Sequence, residues 1–170
     1  MRGLLAVVGA GALVAGCAGV GGDTPKRPPL TVADEMQRVD SSNIVGTWTC
    51  RELNPYPEVP QQVSTITYAK DGSFTGRAQY DAQAAPFGGM TVESIGRWTV
   101  EDDRIVTGDV KTSAGSPDAF TNVMAGIATS LINSAHGQEQ GSGDVLKLTR
   151  TELVFRPVGV EDPPVYSCTR

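Results

Sequence analysis

The side chains of this chain that can do covalent chemistry are few: three cysteines, at positions 17, 50 and 168, and one histidine, at 136. A thiolate can attack, ligate a metal or exchange disulfides. Metal binding calls for three or four ligands, and Cys50, Cys168 and His136 do not supply a motif of that kind. A Ser-His-Asp or Cys-His site would have to use His136, which stands in Ala135-His136-Gly137-Gln138. There it reads as an exposed residue at a helix end, where a cation favours the dipole. The chain has no Gly-X-Ser-X-Gly elbow, no phosphate-cradling glycine loop and no His-Glu-X-X-His helix. Among the acids, Glu101-Asp102-Asp103 reads as a solvated turn. Asp109 has the strand parity of Ile105 and is either an inward carboxylate, with its pKa raised by desolvation, or an exposed acid at a strand end. The residues therefore point away from an enzyme and call for no metal and no cofactor.

The first of the three cysteines has a context of its own. Met1 to Gly16 holds one positive charge, Arg2, then an uncharged apolar run that ends in small residues. That run, from Gly3 to Gly16, is shorter than the roughly 20 residues needed to span a bilayer as a helix, and its parts are those of a secretory signal. Val14-Ala15-Gly16-Cys17 resembles the lipobox of bacterial lipoproteins. The resemblance implies cleavage after Gly16 and acylation of Cys17, palmitate included, as the first residue of the mature protein. More than one acyl chain gives stable anchoring, since each buried methylene contributes about 0.8 kcal/mol. Ala18 in place of an aspartate implies sorting to the outer membrane, with the protein facing the periplasm.

Removal of the signal takes Arg2 from the 14 basic residues and leaves 13 against 19 acidic ones, a net charge of about −6. An acidic domain is a poor candidate for nucleic acid or for an anionic membrane surface. With Cys17 assigned to the lipid, Cys50 and Cys168 form an even pair in an oxidising compartment, which favours a structural disulfide. Such a loop would constrain the unfolded chain by roughly 4 to 5 kcal/mol at most.

Three segments follow in order: a signal peptide at 1–16, a lipidated cysteine and tether at 17–43, and a folded domain at 44–170. Residues 18–31 are rich in glycine, proline and charge, the composition of a flexible linker. Val32, Met36 and Val39 have helical spacing, so a short helix is expected before the domain. Twenty glycines and eleven prolines, with ten aromatic residues, favour a loop-rich β fold over a helical bundle. Eight alternating runs fit that class: 44–51, 63–70, 73–80, 91–100, 104–110, 145–149, 151–156 and 164–169. Asp71-Gly72 predicts a two-residue hairpin turn in which both positions take positive φ. Ser116-Pro117-Asp118 starts a helix, and Phe120, Met124, Ile127 and Leu131 give it one apolar stripe over about 117–135. The stripe packs on the β domain or serves as a gate or docking element, and Gly137–Gly143 is the loop that ends it. The order predicts a mainly β fold, a small eight-stranded antiparallel up-and-down barrel with one inserted α-helix.

Val45-Gly46-Thr47-Trp48 resembles the Gly-X-Trp motif of lipocalins and related calycins, and Ile95-Gly96-Arg97-Trp98 repeats its spacing. The Asp71-Gly72-Ser73-Phe74 hairpin between them strengthens the likeness to small bacterial lipocalin-like proteins. The lipocalin Thr-Asp-Tyr motif is absent, and the inserted helix precedes the sixth strand instead of following the last. The resemblance implies that Trp48 plugs one barrel end under an arginine from near the last strand, with Arg156 and Arg170 as the candidates. Barrel closure would also make the strands of Cys50 and Cys168 neighbours, within the 4.4 to 6.8 Å between Cα atoms that a bridge usually spans.

The function expected is that of an outer-membrane-anchored lipoprotein that binds a small apolar ligand or lipid in its barrel. Trp48, Tyr68, Phe74, Tyr80, Trp98 and Phe155 either line that ligand site or fill the core. The alternative is a protein-interaction role, as an envelope assembly accessory or a periplasmic inhibitor or immunity protein whose acidity suits a basic partner. An enzyme ranks last.

Overall fold

The structure, a computed structural model, describes residues 28, 38–56, 62–80, 89–116, 126 and 141–170. The signal peptide, Cys17, most of the tether and His136 lie outside the described residues. A short helix, α1 (Ser41–Ile44), leads into eight strands: β1 (Gly46–Glu52), β2 (Val63–Tyr68), β3 (Ser73–Tyr80), β4 (Met90–Glu101), β5 (Arg104–Gly115), β6 (Gly141–Leu148), β7 (Glu152–Pro157) and β8 (Tyr166–Thr169). Each strand pairs antiparallel with the next, and β8 returns to β1 to close the barrel. The expected eight-stranded barrel is therefore the fold. Closure gives every strand a neighbour on both sides, although β6 meets β5 only over Arg104–Thr107 among the described residues.

Alternation decides which side chains enter the barrel. On β1, Trp48 and Cys50 are buried while Thr47, Thr49 and Arg51 are exposed. The register then aligns inward positions: Trp48 with Ile66, Cys50 with Ser64 and with Cys168, Leu148 with Leu153. One core cluster joins Val39, Ile44, Trp48, Tyr68, Phe74 and Trp98 to Ile105, Val145, Leu148, Leu153 and the two cysteines.

The Cys50–Cys168 disulfide is present and lies inside the barrel. The two residues are direct register partners, so their Cα atoms approach to 3.9 Å, closer than the expected range. Opposed residues of antiparallel strands already sit about 4.5 to 5.5 Å apart. The bridge ties the first strand to the last across a sequence separation of 118.

Three local expectations are corrected. The β2–β3 connection is a longer turn: Gly72 N donates to Ala69 O (3.1 Å), and only Gly72, not Asp71, has positive φ (77°). The two-residue turn with both φ positive is instead Asp102-Asp103 (48° and 59°), between the paired Glu101 and Arg104. Second, β5 continues past a bulge and runs to Gly115, paired with β4 on both sides of it. The pairing steps from Ile95–Lys111 to Arg97–Gly108, which leaves Asp109 and Val110 opposite Gly96. Asp109 adopts φ 52° and is exposed, while Val110 takes the inward place. The parity inherited from Ile105 fails there because the bulge resets it. Third, β6 starts at Gly141, inside the expected loop 137–143. Gly141 and Gly143 are buried, and a Cβ on Gly143 would stand 3.3 Å from the Phe155 ring. Glycines chosen to admit an aromatic ring look like a loop in sequence.

Of the helix expected over 117–135, Gly126 alone is among the described residues, and it is helical and exposed. Val39, placed by spacing on a short helix, lies in irregular backbone and is buried against the core.

Urea denaturation with and without a reductant tests the staple. Replacing Cys50 and Cys168 by alanine is expected to lower stability by about 2 to 5 kcal/mol, with reductant affecting the wild type alone. An unchanged midpoint would mean that the barrel closes without the bridge.

Candidate functional site

The two ends of the barrel are built differently, and the difference starts in the Gly-X-Trp pairs. Trp48 is fully buried, and its indole N–H donates to Ile44 O at 2.7 Å, the last carbonyl of α1. Asp40 caps that helix by accepting from Ser42 N and Asn43 N. Its bond from the Ser42 hydroxyl, with those from the two amides, holds its pKa below the ordinary value against partial desolvation. Arg170 covers the indole, with its guanidinium carbon 4.2 Å from the ring centroid. Its Nε donates to Arg150 O (2.7 Å), Nη1 to Val45 O (2.8 Å) and Nη2 to Asn43 O (3.3 Å). One planar cation thus ties three carbonyls from two segments, the end of α1 and the β6–β7 turn, over an aromatic face, which a lysine cannot do. Gly46 makes room for it: its φ is 137°, and a Cβ there would lie 3.1 Å from Arg170 Nη1. Of the two candidate arginines, Arg170 is the cap. Arg156 instead lies on the outer face and pairs with Asp144.

Trp98 seals the same end from β4. Its indole N–H donates to Ala69 O (3.0 Å) and its backbone N–H to Gly72 O (2.8 Å). Arg97 donates to Asp71 O (2.9 Å), so the β2–β3 turn is held against β4 from both faces. Asp71 accepts from Ser73 Oγ and N, and those bonds keep its pKa below the ordinary value. Tyr68 packs on Trp98 with ring centroids 5.0 Å apart and on Phe74 at 6.4 Å. Burial pushes the Tyr68 phenol well above its ordinary pKa. Phe74 in turn requires Gly96: a Cβ there would fall 2.7 Å from the Phe74 ring and 2.8 Å from Gly108 O. An open groove of about 610 Å³ runs outside this sealed end, between α1 and the β2–β3 turn, along Ser41, Ser42, Val45, Lys70 and Thr99.

The opposite half of the barrel carries smaller side chains. Ser64, Ile66, Gly76, Ser94, Val110 and Thr112 point inward by register, yet each keeps part of its accessibility. Ser94 and Thr112 join their hydroxyls across strands at 3.2 Å. Gly76 is the most telling. A Cβ there would meet only the neighbouring Ser94, at 3.9 and 4.0 Å, and its φ lies outside the positive range. Among the described residues, no side chain from the far wall comes within 4 Å of that position. Among the described residues the inward surface at this end is thus made of small, mostly half-buried side chains, with Tyr68 and Phe74 in the core. At the rim, Asn54 Oδ1 accepts from Val165 N (2.8 Å) and Leu53 N donates to Val165 O (2.7 Å), which fixes the chain leaving β1 against the segment entering β8.

The six aromatic residues expected to line a site or fill the core are thereby separated. Trp48, Tyr68, Phe74 and Trp98 are core. Phe155 is half-buried and stacks on Tyr166 at 5.3 Å. Tyr80 ends β3, and its side chain lies outside the description. The lumen residues were missed because small residues at alternate positions leave no mark in a search for bulk. Gly76, in the middle of a strand, was the available signal. Among the described residues, no three of His, Cys, Asp and Glu stand close enough to hold a metal ion. No protein-family model matches the chain, and a search of curated proteins finds no relative.

On the outer wall, Asp144 accepts from Arg104 Nε (2.7 Å) and Arg156 Nη2 (3.2 Å), joining β5, β6 and β7. Burial raises its pKa, but the two arginine bonds and charges outweigh that and hold it below the ordinary value. Asp40, Asp71 and Asp144 share this direction, so each stabilises the fold above the unfolded carboxylate pKa and loses that contribution as pH falls through its folded value. Thermal melts are expected to hold from pH 7 to about 5 and to drop below about pH 4, with Asp144→Asn flattening part of the fall. A flat profile to pH 2.5 would contradict the assignment. For the cap, Arg170→Met is expected to cost about 1 to 3 kcal/mol and to expose Trp48 to acrylamide quenching. Arg170→Lys should recover little of it, and equal stability of all three proteins would remove Arg170 from the role.

Proposed function

We propose that this protein is a lipid-anchored, lipocalin-like binding protein of the bacterial envelope, which holds a small apolar ligand or lipid in the open half of its barrel. The observation that carries the reading is the contrast between the two halves: one end plugged by Trp48 and Trp98, the other lined by small inward residues around Gly76. Small eight-stranded barrels are either filled by side chains or hold one small ligand, and an accessible lumen above a closed floor fits the second arrangement. Anchoring through Cys17 rests on the lipobox, and the internal disulfide suits the oxidising periplasm that such an anchor implies. The outer membrane, facing the periplasm, is the location proposed. Binding without catalysis is the activity.

Native mass spectrometry of protein extracted from its own membrane tests this reading. A co-purifying small apolar molecule or lipid is expected, in addition to the acyl groups on Cys17. Gly76→Leu should fill the lumen and remove the bound molecule while the melting temperature stays within a few degrees. A stoichiometric protein partner in place of a small molecule, or full retention of ligand by Gly76→Leu, would overturn it.

A further inference from the structure

The rings that plug the barrel leave one polar atom without a partner. Tyr68 ends β2 with its side chain inside the barrel, 5% exposed, against Trp98 and Phe74. Both indoles at this end are bonded, Trp48 to Ile44 O and Trp98 to Ala69 O. The Tyr68 phenol has no hydrogen-bond partner among the described residues, and burial alone governs its acidity. A buried tyrosine hydroxyl ordinarily finds a partner. Phenylalanine would fill the same space without an unmet donor.

The phenol oxygen keeps a trace of accessible surface, unlike Gln62 Nε2, which is also unpartnered but enclosed. Its approach is from the open half. The groove outside the sealed end is bounded by Val45, Lys70 and Trp98 and does not reach Tyr68. On β2 and β3, the inward pair next to Tyr68 and Phe74 is Ile66 with Gly76. The side chain absent at Gly76 therefore leaves room one inward step above the phenol.

With its pKa raised by burial, the phenol stays a donor at neutral pH. The core cluster around it contains no charged residue. An anionic acceptor here would be buried against one neutral donor, at a desolvation cost that a single hydrogen bond does not repay. An uncharged oxygen, as in a ketone, ester or ether, carries no such cost.

We propose that the Tyr68 hydroxyl is the deep polar contact of the ligand site. It donates to an uncharged carbonyl or ether oxygen of an amphiphile that enters oxygen first, its apolar chain lying along Ile66 and Val110 toward the mouth. This rests on the lumen reading proposed above and adds to it the ligand's chemical class and its direction of entry.

Calorimetric titration with 2-nonanone tests this, in the protein stripped of bound small molecules and in Tyr68→Phe, which removes the hydroxyl and keeps the ring. The wild type is expected to bind the ketone about three- to tenfold more tightly, the contribution of one hydrogen bond. The infrared carbonyl band of bound ketone should lie at lower frequency in the wild type than in Tyr68→Phe, a signature that ring packing does not produce. Naphthalene, which has no oxygen, should bind both proteins alike. Ligand-free Tyr68→Phe should melt at or above the wild-type temperature. Equal ketone affinity with an unshifted band, or a lower melting temperature in Tyr68→Phe, would overturn the Tyr68 assignment and leave the lumen reading standing. Naphthalene binding without ketone binding would do the same. Failure of the wild type to bind either compound would overturn the lumen reading and this inference together.

Discussion

Everything in this barrel depends on β1 meeting β8. Two strands more than a hundred residues apart in sequence must be brought into register before the interior exists, and the entropy of closing so long a loop opposes that pairing. The chain places its strongest constraint there. Cys50 and Cys168 are direct partners on the inward faces of the two strands, so the covalent link sets both the pairing and its register. A slip of one residue would turn Trp48 and Cys50 out to solvent and bring Thr47 and Thr49 in. The link also lies in the core cluster with Trp48, Leu148 and Leu153, so the seam is packed as well as bonded.

From that closure the asymmetry of the two halves follows. At one end the bulky residues of β1, β2, β3 and β4 converge, and two of the close approaches there depend on a missing side chain. Gly46 makes way for the Arg170 guanidinium over Trp48, and Gly96 makes way for Phe74. The indole N–H groups are both bonded to carbonyls, so the plug carries no unmet polar atom at its two tryptophans. Toward the other end the same strands carry serine, alanine and glycine inward, residues that fill far less of the interior. Local residue size, together with the β4–β5 bulge that sets which β5 residues face inward, makes one half a packed core and leaves the other lined by small side chains.

The sequence made much of the closed half legible and little of the open one. Eight alternating runs and their order gave the barrel, because a period of two is visible wherever large and polar residues alternate. The disulfide could be placed because exported chains oxidise even thiol pairs and because closure makes first and last strands neighbours. The Gly-X-Trp spacing pointed to the plug, but choosing Arg170 over Arg156 required the register that sends Arg156 outward to Asp144. Bulges were invisible: Asp109 has no special neighbour in sequence, yet its left-handed backbone shifts the parity of all that follows on β5. The start of β6 was hidden by its own glycines. The small inward residues were missed for the same reason, since absence of bulk at Gly76, Ser94 and Thr112 acquires meaning only when the facing strands are known.

The central proposal is that the barrel, packed at the Trp48 end, is hollow at the other. A crystal structure of the protein under xenon pressure tests it most directly, because xenon occupies apolar volume left unfilled by side chains. The account predicts xenon in the space bounded by Ile66, Gly76 and Val110, and none between Trp48, Tyr68 and Trp98. Side chains packed continuously across the barrel at Gly76, with no xenon there, would contradict it.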